Sequence, residues 1–206
     1  LASGSLDAVL QHVAEGKNGS VQEEVDWMAD IGMTGPGQAY VHASDATTEQ
    51  LARMAADGTA IVWSPRSNLA LYATTTPIGI AETLGVPWAI GTDWTPSGSM
   101  APMPELACAD DWLATKGWPG TDRELFDKGT TDAARIVGLD GVLGALEPGF
   151  RAARPEHDAP GRAVRAGGAG DRAAEQARCE NRELGGSGHE RAGDLHGGGS
   201  SGEHLA

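Results

Sequence analysis

Four short apolar runs, each ending on a polar or ionisable residue, constrain this chain more than any other feature. They end at His12, His42, Ser64 and Asp93, roughly 20 to 30 residues apart, which is the repeat of a strand followed by a helix. Strands are predicted over residues 6–12, 38–42, 59–63 and 86–90, the third running into the loop Ser64-Pro-Arg-Ser-Asn68. Between them lie helix signals. Ser20 and Glu23 read as a capping box opening a helix that reaches Met33, with Glu23, Glu24, Asp26 and Asp30 on its solvated side. Thr47 or Thr48 caps a second helix, with Leu51, Met54 and Ala55 on one face and Gly58 closing it. A helix over residues 77–84 ends at Gly85, and further helical stretches span about 104–116, 122–128 and 131–137. Such a repeat builds a parallel α/β sheet, and loops at the strand C-termini form the face that carries function. His12, Glu15, His42 and Asp93 are therefore expected to share one site.

Composition divides the chain near residue 151. All six Trp, both Tyr and both Phe lie in residues 1–150, whereas residues 151–206 hold twelve Gly and eight Arg but no aromatic residue. That tail lacks the apolar surface to offset chain entropy and is expected to be disordered. Its histidines, His157, His189, His196 and His204, sit among Gly and charge, without the supporting shell a metal site needs. A net charge of −14 disfavours nucleic acid and anionic membrane as partners. No apolar run approaches the roughly 20 residues needed to span a bilayer, and residues 1–20 lack the order of a secretory signal. Cys108 and Cys179 form no CxxC and supply no thiolate zinc site, so a reducing, cytoplasmic location is expected.

Each ionisable residue has an ordinary explanation when taken singly: His12 as a boundary histidine, Glu15 as a solvated loop carboxylate, Asp93 as the N-cap of a turn. Together, a His and a carboxylate are zinc ligands, and a second pair can move protons around a metal-activated water. The residues also match a family pattern. His12-Val-Ala-Glu-Gly16, then Val41-His-Ala43, Trp63-Ser-Pro-Arg-Ser-Asn68 and Ile90-Gly-Thr-Asp-Trp94 follow one another in order, and Asp132-Ala-Ala-Arg-Ile-Val-Gly138 leads to Leu146-Glu-Pro-Gly149. This series resembles the amidohydrolase superfamily, in its cytosine deaminase and chlorohydrolase-like branch of metal-dependent barrels.

The resemblance implies a partial (β/α)8 TIM-type barrel over residues 1–150, comprising strands five to eight and the helices that follow them. It also implies one divalent ion, Zn before Fe or Mn, held by His12 and Asp93. Glu15, His42 and Asp93 would be catalytic: Glu15 passes a proton to the substrate, His42 polarises it or holds the nucleophilic water, and Asp93 takes a proton from that water. Arg66, Asn68 and Trp94 would make the side that binds the small-molecule substrate, Arg66 pairing with an anionic group, Asn68 bracing the loop by hydrogen bonds and Trp94 walling the pocket. The implied activity is hydrolysis of non-peptide carbon–nitrogen bonds, as in cyclic amide or amidine hydrolysis or deamination. Such enzymes take two more ligands from an HxH on the first strand, and this chain contains no HxH. It therefore reads as the C-terminal half of such an enzyme, inactive alone. The alternative is a noncatalytic half-barrel whose partner is a second copy or a chain carrying the N-terminal half. After Gly149 the family pattern breaks, which predicts a shift of reading frame near residue 152.

Overall fold

The computed structural model describes residues 7–151, so the expected disorder of the tail, the reading-frame shift and the four tail histidines lie outside the described residues. Four strands, β1 (Val9–Val13), β2 (Gln38–His42), β3 (Ala60–Trp63) and β4 (Trp88–Ile90), form one parallel sheet in the order β1-β2-β3-β4. The register pairs His12 with Val41, Val13 with His42, and Trp63 with Ile90. All four strands therefore end along one rim of the sheet.

Seven helices accompany the strands among the described residues: α1 (Gly19–Asp30), α2 (Thr48–Asp57), α3 (Pro65–Tyr72), α4 (Ile78–Leu84), α5 (Pro102–Thr115), α6 (Asp122–Lys128) and α7 (Thr131–Ile136). One face of the sheet builds the main core from Val13, Tyr40, Ile61, Trp63, Trp88 and Ile90, packed against Val25, Leu51, Met54, Ile78, Leu106 and Leu113. Trp63 and Trp88 meet edge to face, with ring centroids 5.8 Å apart, and each such buried side chain contributes about 1.5–3 kcal/mol. The other face is narrow, built from Ala39, Ala60 and Ala89 with Ile136 of α7 laid against them. β2, β3 and β4 are buried along almost their whole length, whereas β1, at one edge of the sheet, alternates between half-buried and exposed positions until Val13.

Three local expectations are corrected. The Ser20–Glu23 capping box does not form: α1 starts at Gly19 behind Asn18, and the Ser20 hydroxyl donates to the Asn18 side chain instead. The segment read as the loop Ser64-Pro-Arg-Ser-Asn68 is mostly helix, because Pro65 occupies the first helical position, where its missing N–H costs nothing. Glu24 and Asp26, expected on a solvated helix face, have partners. Glu24 accepts the Ala14 N–H at 2.7 Å, while Asp26 accepts from Gln50 and Arg53 of α2. Of the two caps the sequence allows, Thr47 is the one used, in a capping box with Gln50, and the left-handed Gly58 and Gly85 helix ends are as the sequence suggests. No described helix is long and apolar enough to cross a membrane.

Candidate metal and proton-transfer site

The strand rim brings the expected residues together. His12 lies one position before the end of β1, and His42 ends β2, with ring centroids 5.2 Å apart. Asp93 follows β4 by three residues. Donor atoms of His12, His42 and Asp93 all lie within 4.8 Å of one another. Glu15, in the turn after β1, places Oε1 3.5 Å from His42 Nε2, and Asp93 Oδ2 lies 3.9 Å from the same nitrogen.

The backbone is bent to achieve this. His42 has φ 73° and Asp93 φ 53°, left-handed conformations that residues with a Cβ adopt at a cost and that cluster at functional sites. The loops are pinned against each other to hold that geometry. Ala43 N–H donates to the Val13 carbonyl at 3.0 Å, Asp45 N–H to the Ala14 carbonyl at 3.2 Å, and Gly16 N–H to the buried Ser44 hydroxyl at 3.0 Å.

His42 is fully buried, and its Nε2 has no hydrogen-bond partner. A buried polar atom without a partner is costly, and this one faces an imidazole and two carboxylates. Two imidazoles and a carboxylate suit zinc, and an ion between them would satisfy Nε2. The sequence supplied two ligands, His12 and Asp93; the fold adds His42 as a third donor within reach.

The remaining expected residues fall at different distances from this centre. Asn68 touches it: its side chain lies 2.7 Å from His42 Nδ1. Arg66 is engaged elsewhere, its guanidinium donating to Ser99 at 2.6 Å and its backbone N–H to Glu105 at 3.2 Å. Trp94 follows Asp93, but its side chain is 70 % exposed.

Sequence reasoning missed Tyr72, Thr75, Thr76, Ser99 and Glu105. The Tyr72 hydroxyl donates to Glu15 Oε1 at 2.8 Å. Desolvation, reinforced by Glu15 and Asp93, pushes the Tyr72 phenol up to about 12. Glu105 is wholly buried on α5, accepting from the Ser99 hydroxyl at 2.7 Å; burial raises its carboxyl above the ordinary range against the opposing pull of that bond. An acid among Leu106, Cys108, Ala109 and Leu113, on the buried side of α5, was the available signal for it.

No family model matches the chain. Curated relatives do. A 5-methylthioadenosine/S-adenosylhomocysteine deaminase of Teredinibacter turnerae is 30% identical over 129 residues, covering 61% of this chain and 29% of that protein. A namesake from Desulfitobacterium hafniense is 31% identical over 131 residues, covering 62% and 30%. The chain thus spans under a third of the length of these relatives. Among solved structures, an amidohydrolase from a Sargasso Sea environmental sample superposes with a TM-score of 0.54 at 26% identity, covering 66% of this chain and 30% of that one. A zinc-bound adenosine deaminase of Xanthomonas campestris superposes with a TM-score of 0.63 at 22% identity, over 70% and 36%; at that identity it bears on the fold alone.

Proposed function

From this chain's descent within the amidohydrolase superfamily we propose that it forms the proton-handling side of a metal-dependent hydrolase acting on non-peptide carbon–nitrogen bonds. In this reading the four strands are the fifth to eighth of a (β/α)8 barrel. The observation that carries it is the buried, unpartnered Nε2 of His42, facing His12, Glu15 and Asp93 at the end of a parallel sheet.

His12 and Asp93, with His42 Nε2 in reach, would hold one divalent ion, zinc first and iron or manganese as alternatives. When bound, the ion supplies Lewis acidity and lowers the pKa of water to about 7. Asp93 takes a proton from the attacking water as its oxygen adds to the ring carbon that bears the nitrogen. Glu15, held by Tyr72, shuttles the water's other proton to the ring nitrogen, and Asp93 returns its proton to the exocyclic nitrogen, which departs as ammonia as the ring carbon becomes a carbonyl. The names of the relatives favour an amino-substituted purine riboside, a cyclic amidine, as substrate.

Zinc titration of the purified chain by calorimetry tests this. One ion bound per chain, lost in His12→Ala and Asp93→Ala, is expected; no binding even in excess zinc overturns it.

The absence of any HxH from these 206 residues favours a second reading, in which they are noncatalytic alone and hydrolysis needs an HxH-bearing half supplied from outside them. Mixing with a separately expressed HxH-bearing half of a relative separates the two. Deaminase activity appearing only in the mixture supports the second reading, and activity of the chain alone refutes it.

A further inference from the structure

Asn68 sits behind His42, on the side away from the pocket, inside a closed set of hydrogen bonds. Asn68, Thr75 and Thr76 are all buried, as is the His42 ring. The Thr76 hydroxyl donates to the His42 backbone carbonyl at 2.5 Å. A hydroxyl has one hydrogen, so towards Asn68 Thr76 can only accept. The Asn68 amide nitrogen, 3.2 Å from Thr76 Oγ1 and 3.2 Å from Thr75 Oγ1, must be the end that faces the threonines. Thr75 Oγ1 receives the Trp63 indole N–H at 2.6 Å and keeps a lone pair for the Asn68 amide, so the orientation is set by Thr76. The amide of Asn68 is therefore not free to flip, and its Oδ1 is the end 2.7 Å from His42 Nδ1. A carbonyl oxygen cannot donate, so the hydrogen between them belongs to Nδ1.

We infer that Asn68, oriented by Thr76, is a positioning residue that fixes the neutral His42 ring in its Nδ1–H tautomer and leaves the Nε2 lone pair directed at His12, Glu15 and Asp93. The tautomer follows from the hydrogen bonds alone. Its use, as a ligand or as an acceptor toward water or substrate, rests on the hydrolase reading above. Asn68 lies within α3 and Thr76 four residues beyond its end, so the turn after α3 returns the chain to the rim.

The test is long-range nitrogen–proton correlation NMR of the ¹⁵N-labelled full chain, metal-free, at a pH where the ring is neutral, with the His42 signals assigned by their loss in His42→Gln. The expected spectrum shows His42 protonated at Nδ1 and bare at Nε2. Asn68→Leu should move the population toward the Nε2–H tautomer, while Asn68→Asp, which keeps an acceptor, should retain Nδ1–H. A wild-type ring protonated at Nε2, or an unchanged ring in a folded Asn68→Leu, overturns the inference. If Asn68→Leu does not fold, Asn68→Asp decides: loss of Nδ1–H there overturns it as well. In zinc titrations Asn68→Leu should weaken binding about 10–100-fold, the usual cost of losing a partner behind a ligand. Because the tautomer is read without metal, failure of zinc binding sinks the hydrolase reading and leaves this one standing, and the reverse also holds.

Discussion

Tyr72 shows how one residue far along the chain sets the geometry of the site. Glu15 lies in a short turn after β1 and is partly solvated, and its fixed contact is the Tyr72 hydroxyl, which donates to Oε1 at 2.8 Å from the end of α3. Removing that donor in Tyr72→Phe frees Glu15 to leave the His42 side of the pocket. If the hydrolase reading holds, kcat should fall several-fold with KM little changed, measured in whichever form of the protein turns over. Stability should fall by only about 0.5–1.5 kcal/mol, the net worth of one hydrogen bond. The same residue yields a pH prediction. Tyr72 and Tyr40 both have phenols raised from the ordinary 10.0 to about 12, chiefly by desolvation. A raised acid binds its proton more tightly in the folded chain, so its contribution is complete below pH 10 and is lost as pH climbs through about 12. The urea midpoint should therefore drop between pH 10 and pH 12, and by less in Tyr72→Phe. A midpoint equally steep in that variant would show that Tyr72 is not among the groups responsible.

Among the elements, α3 and α5 are joined by a polar clasp where an apolar contact would be usual. Glu105 near the start of α5 accepts from Ser99 and from the Arg66 N–H at the start of α3, and Arg66 returns to Ser99. Since Ser99 closes the loop that carries Asp93, the clasp sets where that loop leaves β4. Glu105→Ala should cost about 1–3 kcal/mol, because two donors lose their acceptor in a buried place. Glu105→Gln isolates the charge. With its carboxyl raised by burial, Glu105 favours folding below the ordinary carboxylate range and loses that contribution as pH rises through the folded value. The stability gap between Glu105→Gln and wild type should therefore shift toward the variant from pH 4 to pH 7 in chemical denaturation; a constant gap would refute the burial effect. The clasp also marks where sequence reading stopped. Strand runs and helix ends at Gly58 and Gly85 were legible because they depend on local pattern. Helix α3 was hidden because Pro65, Arg66, Ser67 and Asn68 have loop chemistry and become helical through tertiary bonds to Glu105 and His42. The strand-end residues His12, His42 and Asp93 could be placed from spacing. Tyr72, Thr75 and Thr76 could not, since their partners lie up to 57 residues away.

At the scale of the whole molecule, the site draws one group from each of three strand ends, so anything bound there adds a tie to those made by the sheet and the loop hydrogen bonds. An ion held by His12, His42 and Asp93 should act on global stability by mass action, adding about 2.7 kcal/mol at a free zinc concentration one hundred times Kd. At the scale of the roughly 150 described residues, each kcal/mol shifts Tm by about 2–4 °C, so zinc should raise Tm by about 5–11 °C and EDTA should reverse it. Location of the ion is the harder part, because four further histidines, His157, His189, His196 and His204, lie beyond the described residues. Binding there would also give calorimetric heat. The decisive comparison is Asp93→Ala, which removes a carboxylate and leaves every histidine in place. Loss of the thermal shift in that variant locates the ion at the strand rim. A shift undiminished in Asp93→Ala would mean that zinc stabilises the protein from elsewhere, and the rim would then hold only a proton-transfer cluster.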